Sequence, residues 1–111
     1  QVAVIAYGSV ARSARRAVQM ARARGVKAGL LQLQTLWPFP EKEIATLARR
    51  VRLLVVAEMN LGQVALEVKR AAAGAEVVSL TTAGGRLFTP AEISAALCRA
   101  GGRRLKKVVH R

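Results

Sequence analysis

Two short segments hold the residue types best suited to grip an anion: Tyr7-Gly8-Ser9, and Glu58-Met59-Asn60-Leu61-Gly62-Gln63. Each follows an apolar run and opens an amphipathic stretch, the pattern of a strand end passing into a helix start. A helix start presents backbone N–H groups without intrahelical partners, at the positive end of the helix dipole. Gly8 and Gly62 permit close backbone approach, and Ser9, Asn60 and Gln63 add side-chain donors. One reading is a phosphate or carboxylate site. The other is ordinary caps and tight turns, since no GxGxxG fingerprint accompanies the glycines. Glu58 ends a buried strand, where a carboxylate is costly unless partnered. A ligand, a neighbouring domain or a backbone N–H could serve. A structural hydrogen bond within the domain is the leading account.

Other chemistries are poorly supplied. Cys98 and His110 are the only Cys and His, and all six acids are Glu. One Cys and one His do not make a standard structural zinc site. A Ser-His-Asp triad lacks its Asp, and no P-loop is present. The sequence therefore predicts no catalytic residue and no metal ligand in this chain. Cys98 has no partner for an internal disulfide, so the reducing cytoplasm is the expected compartment. Trp37 and Phe39 are half of the four aromatics and sit in a rigid proline turn. They either anchor an interface or cap the domain's own core.

The elements that position these residues follow from periodicity. Val2 to Tyr7 is apolar on both faces, as a central parallel strand should be. A helix capped by Ser9 runs to about Arg24, with Val10, Ala14, Ala17, Val18 and Ala21 as its inner stripe, and Gly25 stops it. Strands are predicted at Ala28 to Leu33, Leu53 to Ala57 and about Glu76 to Leu80. Pro40 suits the first position of a second helix, whose inward residues are Ile44, Leu47, Ala48 and Val51. Asn60 caps a third helix with inner residues Leu61, Val64, Ala65, Val68 and Ala72. Thr89-Pro90-Ala91-Glu92 is a capping box for the last helix, which faces inward at Ile93, Ala96 and Leu97. Strand–helix alternation repeated four times implies a parallel sheet covered on both faces. The expected spatial order is 2-1-3-4, which brings the Gly8 and Gly62 loops together at the switch point between strands 1 and 3. Residues 1–100 are expected to form the domain and 101–111 a solvated basic tail.

The chain has 111 residues, 52% of them hydrophobic, and a formal net charge of +13. It can bury a core, and no apolar run is long enough to span a membrane. The 14 Arg and 5 Lys, with Arg12, Arg15, Arg16 and Arg22 in a stripe, raise nucleic acid as a partner. Solvated helix faces are the favoured account, because no nucleic-acid motif or aromatic stacking platform accompanies the charge.

Four segments in this order carry a family resemblance: Val4-Ile5-Ala6-Tyr7-Gly8-Ser9, Leu36-Trp37-Pro38-Phe39-Pro40, Glu58-Met59-Asn60-Leu61-Gly62-Gln63 and Leu87-Phe88-Thr89-Pro90-Ala91-Glu92-Ile93. Over about residues 2 to 98 the chain resembles the C-terminal domain of the alpha subunit of 2-oxoacid:ferredoxin oxidoreductases, in the 2-oxoglutarate and general 2-oxoacid branches. The resemblance implies an α/β fold, a three-layer α/β/α sandwich of transketolase C-terminal type. It also implies a piece of a longer subunit, which fits a start without Met and without the family's antiparallel edge strand. The implied parent reaction is oxidative decarboxylation of a 2-oxoacid to an acyl-CoA. Thiamine diphosphate, magnesium, iron–sulfur clusters and coenzyme A serve that reaction, with ferredoxin as electron acceptor. The family's cofactor ligands lie on other domains or on the beta subunit, and none maps here. The domain is then expected to be non-catalytic, contacting the rest of its subunit and the beta subunit. The residue-based alternatives are a coenzyme A or nucleotide module and a stand-alone basic nucleic-acid binder.

Overall fold

The structure, a computed structural model, describes residues 1–34, 39–58, 63–72, 74–82 and 86–109, with side chains as far as residue 100. Eight elements alternate along the chain: β1 (Val2–Tyr7), α1 (Val10–Ala23), β2 (Ala28–Leu33), α2 (Glu41–Arg50), β3 (Leu53–Ala57), α3 (Gln63–Ala71), β4 (Glu76–Leu80) and α4 (Pro90–Val109). The four strands form one sheet in the order β2-β1-β3-β4, and every pairing is parallel. This is the expected α/β sandwich and strand order.

Side chains alternate across a strand, and that alternation divides the core in two. Val2, Val4 and Ala6 of β1, with Leu53, Val55 and Ala57 of β3, face α1 and α4. Ala3 and Ile5, with Leu54 and Val56, face α2 and α3. Both central strands are therefore apolar at every position, the signature read from the sequence. The predicted inner stripe of α1 is buried throughout. In the second layer Ile44, Val64, Ala65, Val68 and Ala72 are buried, while Leu47, Ala48 and Val51 are half-buried against them.

Helix ends show what local chemistry achieved. Gly25, at φ +87°, closes α1. Its N–H donates to Arg22 O and that of Val26 to Ala21 O, the two bonds of a Schellman motif. At α4 the capping box is reciprocal: Thr89 N–H donates to Glu92 Oε1 at 2.8 Å, and Glu92 N–H to Thr89 Oγ1 at 3.2 Å.

Two expectations are corrected. Ser9 stands at the start of α1, but its side chain makes no cap hydrogen bond. Gly8 adopts φ +63°, and its carbonyl accepts the Ala11 N–H at 3.1 Å, so a backbone turn does the work assigned to the hydroxyl. Pro40 precedes α2 instead of opening it. Its φ −81° and ψ 68° make an inverse γ-turn in which Glu41 N–H donates to Phe39 O at 2.8 Å. Past the expected boundary at residue 100, α4 continues to Val109. Arg, Leu and Lys are good helix formers, and a glycine costs only about 1 kcal/mol in a helix, so Gly101-Gly102 does not end it.

Candidate functional site

β1 and β3 are parallel neighbours, so their carboxyl ends share one edge of the sheet. The chain leaves β1 for α1 on one face and leaves β3 for α3 on the other. The switch point therefore exists where the strand order required it. Of the predicted residues, Asn60 and Gly62 lie outside the described residues, as do Met59 and Leu61. Gly8 and Ser9 are exposed at the start of α1, and Gln63 is exposed as the first residue of α3. Beyond its chain neighbours, no heavy atom of the described residues lies within 4 Å of a Cβ built on Gly8. Its positive φ by itself favours glycine there.

Glu58 decides the electrostatics of this edge. It is fully buried, at 0% exposure. Its Oε1 accepts the Val64 N–H at 3.0 Å and its Oε2 the Ala65 N–H at 2.9 Å. Those are the second and third residues of α3, the two amides an N-cap oxygen ordinarily takes. Its own N–H donates to Leu80 O at 3.2 Å, continuing the β3–β4 ladder by one residue. The carboxyl group therefore sits where an external anion would have bound α3 and caps the helix from the end of the preceding strand. Among the described residues no buried side-chain nitrogen or oxygen lacks a hydrogen-bond partner. The buried Glu is thus accounted for within the domain.

The aromatic turn is only partly described. Trp37 lies outside the described residues. Phe39 is half-buried against the cluster that contains Leu33 and Ile44, so it is shared between core and surface. Sequence reasoning missed two exposed apolar side chains, Leu66 at 61% and Leu87 at 57% exposure. The signal for Leu66 was available, since it falls off the Val64–Ala65–Val68 stripe. It also missed Arg86, which grips Glu92 with both ends of its guanidinium, at 3.1 and 2.8 Å. The Arg86 hydrogen bond, followed by that from the Thr89 N–H, lowers the Glu92 carboxyl to about 2. Among the described residues no three His, Cys, Asp or Glu side chains gather where they could hold a metal ion. No helix there is long and apolar enough to cross a membrane.

The model of the pyruvate:ferredoxin oxidoreductase core domain II family matches residues 1–93. The chain belongs to this family. Among curated members, the 2-oxoglutarate synthase subunit KorA of Methanothermobacter thermautotrophicus is 52% identical over 93 residues, covering 83% of this chain and 25% of that subunit. The ketoisovalerate oxidoreductase subunit VorB of Methanothermobacter marburgensis is 38% identical over 88 residues, 79% of this chain and 25% of that subunit. A solved 2-oxoglutarate:ferredoxin oxidoreductase from Magnetococcus marinus, with 2-oxoglutarate, coenzyme A and succinyl-CoA bound, superposes with a TM-score of 0.79 at 28% identity. It covers 89% of this chain and 17% of its own. The core domain II chain described here spans about a quarter of the length of its curated relatives.

Proposed function

We propose that this chain is a non-catalytic structural and interface domain of a 2-oxoacid:ferredoxin oxidoreductase alpha subunit. The parent enzyme would decarboxylate a 2-oxoacid oxidatively to an acyl-CoA and pass the electrons to ferredoxin. The observation that carries the reading is the internal capping of α3 by Glu58 in a chain of this family. The strongest anion-binding feature in the sequence is spent on holding the fold. When bound in the parent, thiamine diphosphate and magnesium supply the decarboxylation chemistry and iron–sulfur clusters the electron path. On this reading the ligands for these groups lie on other domains and on the beta subunit. This chain's own part is to present the Gly8-Ser9 turn, Gln63 with the neighbouring Asn60 and Gly62, and the Trp37–Phe39 turn to those neighbours. The assembly belongs in the cytoplasm, where the Cys98 thiol stays reduced.

The test is a paired assay. The purified 111-residue chain, supplied with thiamine diphosphate, magnesium, coenzyme A and 2-oxoglutarate, should reduce no viologen dye. The complete alpha–beta enzyme carrying this sequence should do so with at least one 2-oxoacid. Turnover by the chain alone overturns the assignment. Tight coenzyme A binding to the chain alone in a calorimetric titration would support the coenzyme A module instead.

A further inference from the structure

Helix α1 carries the most one-sided charge of the described helices. Arg12, Arg15, Arg16, Gln19 and Arg22 are all exposed. They fall at i, i+3, i+4, i+7 and i+10, which places them on one face. At 1.5 Å per residue the stripe is about 15 Å long. No acidic residue occurs anywhere in residues 1–40. The two ion pairs among the described residues, Arg70–Glu67 and Arg86–Glu92, lie on other elements.

Three of these four guanidiniums are nevertheless held in place. Arg15 Nη2 donates to Gln32 Oε1 at 2.7 Å, Arg16 Nη1 to Gln19 Oε1 at 3.4 Å, and Arg22 Nε to Ala28 O at 2.7 Å. Every acceptor is neutral. The contacts order the side chains without discharging them, and each uses one of the five N–H donors of a guanidinium. Ordering long side chains beforehand lowers the entropy lost on binding. A planar guanidinium suits bidentate capture of a carboxylate.

We propose that this arginine face of α1, with strand β2 beside it, docks a carboxylate-rich protein surface elsewhere in the assembly to which the chain belongs. The inference rests on the proposed function for its setting. Its own support is the uncompensated, pre-ordered charge. A protein partner is favoured over nucleic acid on two counts. Neither α1 nor β2 contains an aromatic side chain on which a base could stack. The curated relatives are enzyme subunits about four times the length of the aligned region, so protein surface surrounds this domain in them.

The experiment uses the complete alpha–beta enzyme carrying Arg12→Lys and Arg16→Lys. Each substitution keeps the charge and adds an amine that a carbodiimide can join to a carboxylate in direct contact. Peptide mapping should find crosslinks from positions 12 and 16 to Asp or Glu outside residues 1–111. Their yield should fall several-fold from about 0.05 M to about 0.5 M salt, as screening sets in. An active enzyme with no such crosslink, or with crosslinks only within this chain, overturns the inference and leaves the functional reading intact. Retention of a duplex oligonucleotide by the enzyme, lost in the Arg12→Gln, Arg16→Gln variant, overturns it in favour of nucleic acid. A crosslinked assembly inactive with every 2-oxoacid leaves the docking face standing and removes the functional reading.

Discussion

The two helical layers cover opposite faces of one sheet, and they are built differently. The α1/α4 layer joins the first and last helices of the chain. Its buried cluster is rich in small side chains, with Ala11, Ala14, Ala17, Ala21 and Ala100 in the same cluster as Ile93, Leu97 and Phe88. The α2/α3 layer joins helices near in sequence, and its buried Ile44, Val64 and Val68 are flanked by half-buried Phe39, Leu47, Val51 and Val77. Their outer surfaces differ as well. α1 has four Arg and no acid, whereas α2 and α3 together carry five cations and three acids. Inner faces dictate the fold and can be equally apolar in both layers. Outer faces carry the difference: α1 has cations with no acid among them, whereas α2 and α3 mix both signs.

The sharpest break of this comparison uses the same substitution twice. Ile44 and Ile93 are both fully buried at 0% exposure, one in each layer. Truncation to Ala removes the same atoms, so any difference in cost reports how well each site collapses. The cluster that holds Ile93 is rich in alanine, whose side chain is too short to swing into a void, so Ile93→Ala should cost about 4 kcal/mol. Around Ile44, the half-buried Phe39 and Leu47 can resettle, so Ile44→Ala should cost about 2–3 kcal/mol. Denaturant unfolding of the two variants measures both. Equal losses would show that the layers do not differ in rigidity.

A second comparison sets the start of α3 against the start of α4. Glu58→Ala leaves the buried Val64 and Ala65 amides without acceptors and should cost about 3 kcal/mol. Glu58→Gln keeps the packing and one acceptor but turns an NH2 donor toward the second amide, so it should lose at least half of that. Thermal melts of the pair decide it. A Glu58→Gln loss near zero would mean that the packing of the side chain, which Gln keeps, and not its hydrogen bonds, holds this helix start.

Much of this was legible in the residues, for identifiable reasons. Strand order, the two-faced apolar strands, the α1 stripe, the Gly25 stop and the Thr89–Glu92 box all depend on patterns local in sequence. Features that depend on a loop's path were not legible. The sequence required a partner for Glu58 and favoured a hydrogen bond within the domain, but it did not single out the donors. The choice of Val64 and Ala65 depends on how the chain returns across six residues. The hydroxyl of Ser9 was displaced from its cap by the positive φ of Gly8, a backbone choice that a Gly-Ser pair does not announce. Arg86 reaches Glu92 from outside the helix, at no helical spacing. Of the site residues, Asn60, Gly62 and Trp37 lie outside the described residues. Gly8, Ser9 and Gln63 are placed as exposed residues at helix starts.

The smallest expected effect concerns the exposed cap of α4, where charge does openly what Glu58 does under cover. Glu92 is lowered from 4.5 to about 2, first by the Arg86 hydrogen bond and then by the Thr89 N–H. A carboxyl held below its unfolded value stabilises the fold fully above that value and loses the contribution as pH falls through the folded one. The window is therefore about pH 4.5 down to about 2. Glu92→Gln removes the titrating group, so the gap in melting temperature between the parent chain and this variant should be constant near neutral pH. It should shrink through the window and close near pH 2. Both partners face solvent, with side-chain exposures of 55% for Arg86 and 38% for Glu92, so added salt should narrow the gap at neutral pH. Glu58→Gln offers the control, since its buried contacts should be far less sensitive to salt. A Glu92→Gln gap unchanged from pH 6 to pH 2 would assign the α4 cap to hydrogen-bond geometry alone.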